Sequence, residues 1–333
     1  MRRTIRGCRL AVTLLLAQSV PTVLAATPLE TDIARLAAPI GGKVGVAAWK
    51  LDGKGERVLL NENERFPMAS TFKIAVAGAI LAQVDAGKLR LEQLVPVQPD
   101  DVVPSEGIAS LAVHPGVSLS VHNLLELMLT WSDNTATDVL TRQAGGPEAV
   151  TAWVRKQGVQ EQRIDRDTNA LIRAFYNLPA TGSLKQLFET AEKNDPKLEE
   201  RSSQPNPAFD NDPRDSSTPN AMAQLLTRIF NKQALGASST DVLIDIIQRC
   251  HTGDRRLRGK MPAGTVIADK TGTIGGTVND VGVITLPDGN GQLVIAVFIK
   301  ESGKPVEERE RTIAEIARSV RDHFLLVPTA RGS

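Results

Sequence analysis

The feature that most constrains this chain is where its strand patterns fall. Residues 43–51, Lys-Val-Gly-Val-Ala-Ala-Trp-Lys-Leu, read as a strand. The Asp52-Gly53-Lys54-Gly55 turn follows, and 56–61 is its hairpin partner. The other strand patterns, 265–270, 279–286 and 292–300, come only after a long helical middle. A sheet that draws strands from both chain ends has to close around everything between them. This segregation predicts an α+β fold. One antiparallel sheet forms from the N- and C-terminal segments, flanked by terminal helices over 31–38 and 306–324, with an all-helical subdomain inserted.

The punctuation inside the middle is clear. An apolar run after Ser70 reads as a buried helix over 74–86 that closes at Gly87. Ser120 caps a helix over 121–130, Ser132-Asp133-Asn134 interrupts it, and 135–144 resumes until Gly145-Gly146-Pro147. Pro147 starts another helix through Val154. The stretch 164–219 carries Pro179, Pro196, Pro205, Pro207, Pro213 and Pro219 among short helical pieces and acidic clusters. A connection this long inside a compact domain is usually functional. The expected organisation is one catalytic domain over 26–333. Its α/β part is 26–66 with 260–333, and its helical part is 67–259, including the extended loop 164–219.

Composition matters mainly for what it excludes. At 333 residues and 41% hydrophobic, the chain can bury a sizeable core. Arg2, Arg3, Arg6 and Arg9 precede the apolar run Leu10–Leu16, and Val23-Leu24-Ala25 offers a small-x-small site, so residues 1–25 read as a secretory signal peptide. Cys8 precedes the apolar run, which argues against a lipid-anchored cysteine. Cleavage after Ala25 removes four arginines and no acid, taking the net charge from +1 to −3. A mildly acidic exported chain has no electrostatic case for nucleic acid or an anionic membrane. The mature chain keeps only Cys250, so core packing rather than a disulfide must stabilise it. His114, His122, His251 and His323 are scattered, and no metal-ligand cluster or cofactor motif appears. The expected form is a periplasmic or secreted monomer without metal, cofactor or stable membrane insertion.

Three polar clusters interrupt otherwise apolar structure: Ser70-Thr71-Phe72-Lys73, Ser132-Asp133-Asn134 and Lys270-Thr271-Gly272-Thr273. Ser70 at a helix N-terminus meets backbone N–H groups that favour negative charge. Lys73 lies one turn on, on the same face, within reach of the Ser70 hydroxyl. Attack on an amide carbonyl needs a hydroxyl with a base beside it.

With these three motifs in this order, the chain resembles the class A β-lactamases and penicillin-binding proteins over nearly all of its mature length. Supporting matches are Gly145-Gly146-Pro147, Arg163-Ile164-Asp165-Arg166, Asn211-Asp212-Pro213-Arg214-Asp215 and the run from Thr252 to Arg258. The resemblance implies a serine hydrolase acting on a β-lactam or related acyl substrate through a Ser70 acyl-enzyme. Lys73 takes the Ser70 proton if a neighbouring cation lowers its pKa, and Lys270 is the candidate cation. Ser132 is expected to relay a proton to the leaving nitrogen, and Asn134 to hold Lys73 and the substrate amide. The backbone N–H groups of Ser70 and Thr273 form the implied oxyanion hole. Lys270, Thr271, Gly272 and Thr273 make up the substrate-binding strand.

The departure lies in the long loop. Class A β-lactamases carry a Glu-x-x-x-Asn element there that activates the deacylating water. Counting back from Asp215 puts Asn206 at the Asn position and Ser202 at the Glu position. Glu200 is the candidate displaced carboxylate, with Glu199 and Glu106 as alternatives, beside an insertion running roughly from Thr168 to Arg201. No arginine follows Lys-Thr-Gly in the next strand, so Arg255 or Arg258 is the candidate for holding a carboxylate. Two other functions stay open: a D-Ala-D-Ala peptidase-like or other small amide or ester hydrolase, and a slowly deacylating penicillin-binding or sensing protein.

Overall fold

In the computed structural model, residues 27–105, 107–112 and 116–326 are described, without the side chains of Glu199 and Arg201. The expected signal segment, Cys8, Glu106, His114 and the Glu199 side chain lie outside the described residues.

Strands β1 (Lys43–Lys50) and β2 (Val58–Leu60) come from the N-terminal side, and β3 (Ile267–Ile274), β4 (Thr277–Thr285) and β5 (Gln292–Lys300) from the C-terminal side. They form one antiparallel sheet in the order β2-β1-β5-β4-β3. The two ends of the chain join where Lys43 pairs with Lys300 and Lys50 with Leu293. β3 is therefore an edge strand, and its open side faces the helical part.

Side chains alternate across a strand, so each face of a sheet takes every second residue. Val44, Val46 and Ala48 of β1 and Ile295, Val297 and Ile299 of β5 pack on one face. There they meet Leu29 and Ile33 of α1 (Pro28–Ala37) and Ile313, Ile316 and Val320 of the C-terminal helix Val306–Leu326. Ala47, Trp49, Ala296 and Phe298 point the other way into the larger core shared with the helical part.

The centre of that part is α2 (Lys73–Asp85), buried all round from Lys73 to Leu81, as expected of a helix that is apolar on every side. Around it lie α3 (Val121–Thr130), α4 (Asn134–Ala144) and α5 (Pro147–Lys156). A Cβ at Gly78 would stand 2.1 Å from the Trp153 ring, so only glycine lets α5 pack this closely on α2. The long loop contains α6 (Thr168–Tyr176), α7 (Leu184–Asn194), α8 (Leu198–Ser202) and α9 (Pro207–Asp210), and α10 (Pro219–Phe230) and α11 (Ala237–Gln248) follow it. The final helix is α12.

Most element ends shift by a few residues from the sequence reading, and two of the shifts bear on the site. Ser70 lies on a 3-10 turn, Ala69–Phe72, ahead of the α-helix proper. The strand expected to end at Lys270 runs on to Ile274, because Ile274 pairs with Thr277 and Gly275 turns the chain at φ +54°. Lys270 to Thr273 is therefore strand, not strand end and turn.

Candidate active site

Ser70 is positioned by the edge of the sheet. Asn279 of β4 donates from Nδ2 to the carbonyls of Pro67 and Met68, at 2.9 and 3.1 Å. Met68 N–H donates to the Asp215 carbonyl at 3.0 Å, and Thr71 Oγ1 donates to the Met68 carbonyl at 2.8 Å. Ala69, just before the serine, is held at φ +45°. A non-glycine residue there is uncommon and needs surroundings that over-determine it. β3 runs alongside, and Gly272 permits the approach: a Cβ there would sit 3.0 Å from Ser70 N and 2.6 Å from Met68 O.

Ser132 lies in the break between α3 and α4 at φ +59°. Asp133 caps α4 through Ala136 N–H at 2.6 Å and also accepts from Ile108 N–H at 2.7 Å, which ties the break to the opposite loop. The fully buried Lys73 donates from Nζ to the Ser132 carbonyl (2.6 Å), Ser132 Oγ (3.2 Å) and Asn134 Oδ1 (2.8 Å). Lys270, also fully buried, donates to Ser132 Oγ at 3.1 Å and to its neighbour's carbonyl, Thr271 O, at 3.1 Å. One hydroxyl thus lies between two amines.

Burial chiefly, and Lys270 second, hold the Lys73 amine well below its ordinary range, against the pull of Asp133 and Asp138. Burial also lowers Lys270, opposed by Cys250, Asp269 and Asp280 and reinforced by Arg256. In both, burial works against the charged form because a charge costs more away from water, and the larger displacement is at Lys73.

The carboxylate-facing strand has an arginine, though not either one expected. Arg256, buried between them in sequence, donates from Nη2 to Thr273 Oγ1 at 2.7 Å and from Nη1 to the Gly272 and Asn279 carbonyls. Arg258 turns instead to Asp269 behind the strand. In a run of three arginines the sequence gives no sign of which one faces β3, since that depends on how the turn at 253–259 docks. The Thr271 hydroxyl is shared with Thr252 Oγ1 at 2.6 Å.

The neck of the long loop is closed by an ion pair. Arg166 pairs through Nε with Asp215, whose other oxygen accepts from Asp165 and Arg166 N–H at 2.8 and 3.0 Å. Above the neck lies a cleft of about 530 Å³, lined by Ser70, Asn134 and Thr273 on one side and by the loop on the other. The loop contributes Thr168, Ser202 and Ser203, together with Tyr176, Phe188 and Glu192. Glu200, the expected carboxylate, is not brought to the cleft. It is exposed on α8, where its carbonyl accepts from the Ser203 hydroxyl at 2.8 Å, and Ser202 and Ser203 face inward in its place. The physical reason is that Glu200 stays in water on α8, where a carboxylate keeps its hydration instead of losing it against the cleft. Asn206 caps α9 by accepting from Phe209 N–H and donates from Nδ2 to the Phe175 carbonyl, so it serves the loop's own structure.

Thr168 and Glu192 are among the cleft residues that escaped the sequence reading. Thr168 is buried at the start of α6, where Asp138 of α4 accepts its N–H at 2.7 Å and that of Asn169 at 2.9 Å. Burial, and Asp167 second, push the Asp138 carboxyl up to about 7. The Asp167 cap ahead of an apolar run was the sequence signal for that helix start. Glu192 lies in a Lys/Glu-rich segment that reads as a solvated face, and nothing in it points to a cleft. Among the described residues there is no group of acids, histidines or cysteines able to hold a metal ion.

Ser70 stands on a turn against the edge strand of an α+β fold and lines one cleft with Asn134, which holds the buried Lys73, and with Thr273; this is the arrangement of a serine acyl hydrolase. The β-lactamase enzyme family model matches residues 28–324. The chain is 31% identical to β-lactamase CTX-M-25 of Escherichia coli, over 97% of this chain and all of that protein. It is 32% identical to the extended-spectrum β-lactamase PER-1 of Pseudomonas aeruginosa, over 83% of this chain and 80% of that one. A solved ancestral (GNCA) class A β-lactamase superposes with a TM-score of 0.72 at 35% identity, covering 89% of this chain and 99% of its own. The chain belongs to the β-lactamase enzyme family, within the class A superfamily.

Proposed function

We propose that the protein opens the β-lactam amide through an acyl-enzyme on Ser70. The observation that carries this reading is the placement of Ser132 Oγ between Lys73 Nζ at 3.2 Å and Lys270 Nζ at 3.1 Å. Neutral Lys73 takes the Ser70 proton as Oγ bonds to the carbonyl carbon. The oxyanion is received by the N–H groups of Ser70 and Thr273. When the C–N bond breaks, the proton passes through Ser132 to the leaving nitrogen, and Lys270 is close enough to steady that hydroxyl. Lys270, Thr271 and Thr273, with Arg256 behind Thr273 and Gly272 leaving room for the approach, take the substrate carboxylate, and Asn134 takes the acyl amide. Water then cleaves the ester and returns Ser70 to its starting state.

A second reading concerns the rate of that last step. The loop side of the cleft carries the hydroxyls of Thr168, Ser202 and Ser203, and Glu200 is exposed. The one carboxylate among the described lining residues, Glu192, is exposed on α7, and hydroxyls are weak bases near neutral pH, which favours a slowly deacylating enzyme. Steady-state turnover of a chromogenic cephalosporin, followed by intact mass of the protein, separates the two. Multiple turnovers without a standing adduct support hydrolysis. An adduct that persists for hours supports the slow form, and the absence of both turnover and adduct overturns both.

We place the mature protein in the periplasm or outside the cell, as a monomer released by cleavage after Ala25. The arginine-led apolar run at the N-terminus supports this, and no described helix is long and apolar enough to cross a membrane. N-terminal sequencing of exported protein tests it.

A further inference from the structure

The loop insertion builds one wall of the cleft, and its composition is specific. Leu171, Ile172 and Tyr176 come from α6, and Phe188 and Glu192 from α7. The rings form a continuous edge-to-face series. Phe209 meets Phe175 at 5.2 Å, Phe175 meets Tyr176 at 5.0 Å, and Tyr176 meets Phe188 at 4.9 Å, with interplanar angles of 81° to 88°. The series is anchored at its inner end, where Phe175 packs against Gly275 in the β3–β4 turn. A Cβ at Gly275 would come within 2.8 Å of that ring. Tyr176 and Phe188 are thus fixed aromatic faces at the cleft rather than loose side chains.

The charge in this wall is equally specific. Among the described residues lining the cleft, Glu192 is the one carboxylate, and none is a lysine or arginine. No ion pair among the described residues uses Glu192. The nucleophile and Asn134 lie across the same cavity. Asn134, proposed above to take the acyl amide, lines the same cavity as Tyr176, Phe188 and Glu192, so this wall is within that cavity's reach of a group extending from the acyl amide.

We infer that Tyr176, Phe188 and Glu192 form a subsite that selects an aryl acyl side chain bearing a cationic amine. The inference rests on the β-lactam reading of the site. Edge-to-face and offset contacts suit an aryl group between these rings, and an ammonium beside Glu192 meets an unopposed carboxylate.

Three penicillins separate the contributions: 6-aminopenicillanic acid has no acyl chain, benzylpenicillin carries phenylacetyl, and ampicillin adds an ammonium to that group. The acylation kcat/KM of each is measured for the parent, Phe188→Ala and Glu192→Gln. Phe188→Ala is expected to lower the ratio of benzylpenicillin to 6-aminopenicillanic acid by about 10-fold, the scale of a lost apolar contact in a pocket. Glu192→Gln is expected to lower the ratio of ampicillin to benzylpenicillin by about two- to five-fold, as for a solvent-exposed ion pair. That second effect should shrink as salt is raised. Unchanged ratios in both variants, with all three penicillins still acylating Ser70, overturn the subsite and leave the proposed function standing. Accumulation of acyl-enzyme in Glu192→Gln with all three compounds also overturns it, because Glu192 then activates water. No Ser70 adduct from any penicillin overturns the proposed function itself, and the subsite with it.

Discussion

Gly272 of β3 lies so close to Ser70 that a methyl group on it would stand 3.0 Å from the Ser70 amide nitrogen. The same methyl would be 2.6 Å from the Met68 carbonyl oxygen, a backbone atom held in place by Asn279. The edge strand and the nucleophile turn therefore form one rigid unit, and the proposed oxyanion hole depends on their separation. Gly272→Ala must push them apart. Overpacking of this kind costs about 1–3 kcal/mol of stability. The acylation rate should fall further, by about 10²-fold or more, as when one oxyanion donor is lost. Denaturant melts and stopped-flow acylation of the same variant check the two effects separately; a near-parental acylation rate would show that the spacing does not matter.

Lys270 reports on the base. Lys73 accepts a proton only when neutral, so acylation is limited on the acid side by the Lys73 pKa. Burial and then Lys270 hold that pKa down. Removing the Lys270 charge lets it rise, so the acid limb of the kcat/KM profile should move to higher pH in Lys270→Ala. The rate at neutral pH should fall by about 10² to 10⁴-fold, the usual scale of general-base catalysis. A loss of binding with the acid limb unmoved would leave Lys270 as a carboxylate anchor alone.

Asp138 predicts a stability slope. Its folded carboxyl titrates at about 7, while an unfolded aspartate titrates near 3.9. With the folded pKa raised, the unfolded chain loses its proton first as pH rises. The group's contribution is therefore most favourable below pH ~4 and declines through pH ~7. At about 1.4 kcal/mol per unit of pKa difference, the decline is a few kcal/mol. Asp138→Asn should flatten stability between these pH values, as read from urea unfolding at pH 4.5 and 8. Equal slopes in parent and variant would mean that Asp138 stays ionised in the fold.

Glu200 is the simplest variant of the four. It is exposed on α8 and does not line the cleft. Glu200→Gln should deacylate at the parental rate, within about two-fold, whichever group activates water. Accumulation of acyl-enzyme in this variant, followed by intact mass with a cephalosporin, would show that the loop brings the carboxylate inward during turnover.

The α+β layout was legible in the sequence because it depends on local signals. Short runs bounded by turn residues and largely buried along their length mark β1, β4 and β5, and glycines, prolines and caps such as Ser120 and Asp133 mark the helix ends. Three short motifs at element edges pointed to the residues that meet here: Lys73, Ser132, Asn134 and Lys270 are hydrogen-bonded together, and Ser70 lines the same cleft as Asn134. What the sequence could not determine is which neighbouring side chain faces inward where a segment's orientation depends on docking. Arg256 rather than Arg255 or Arg258 meets Thr273 because the turn at 253–259 packs against β3. The loop presents Ser202, Ser203 and Glu192 to the cleft and Glu200 to water because two short helices settle on an aromatic series anchored at Gly275. Helix and strand periods are written in consecutive residues. The facing of a short inserted helix is set by contacts with residues distant in the chain, and only the tertiary structure decides those.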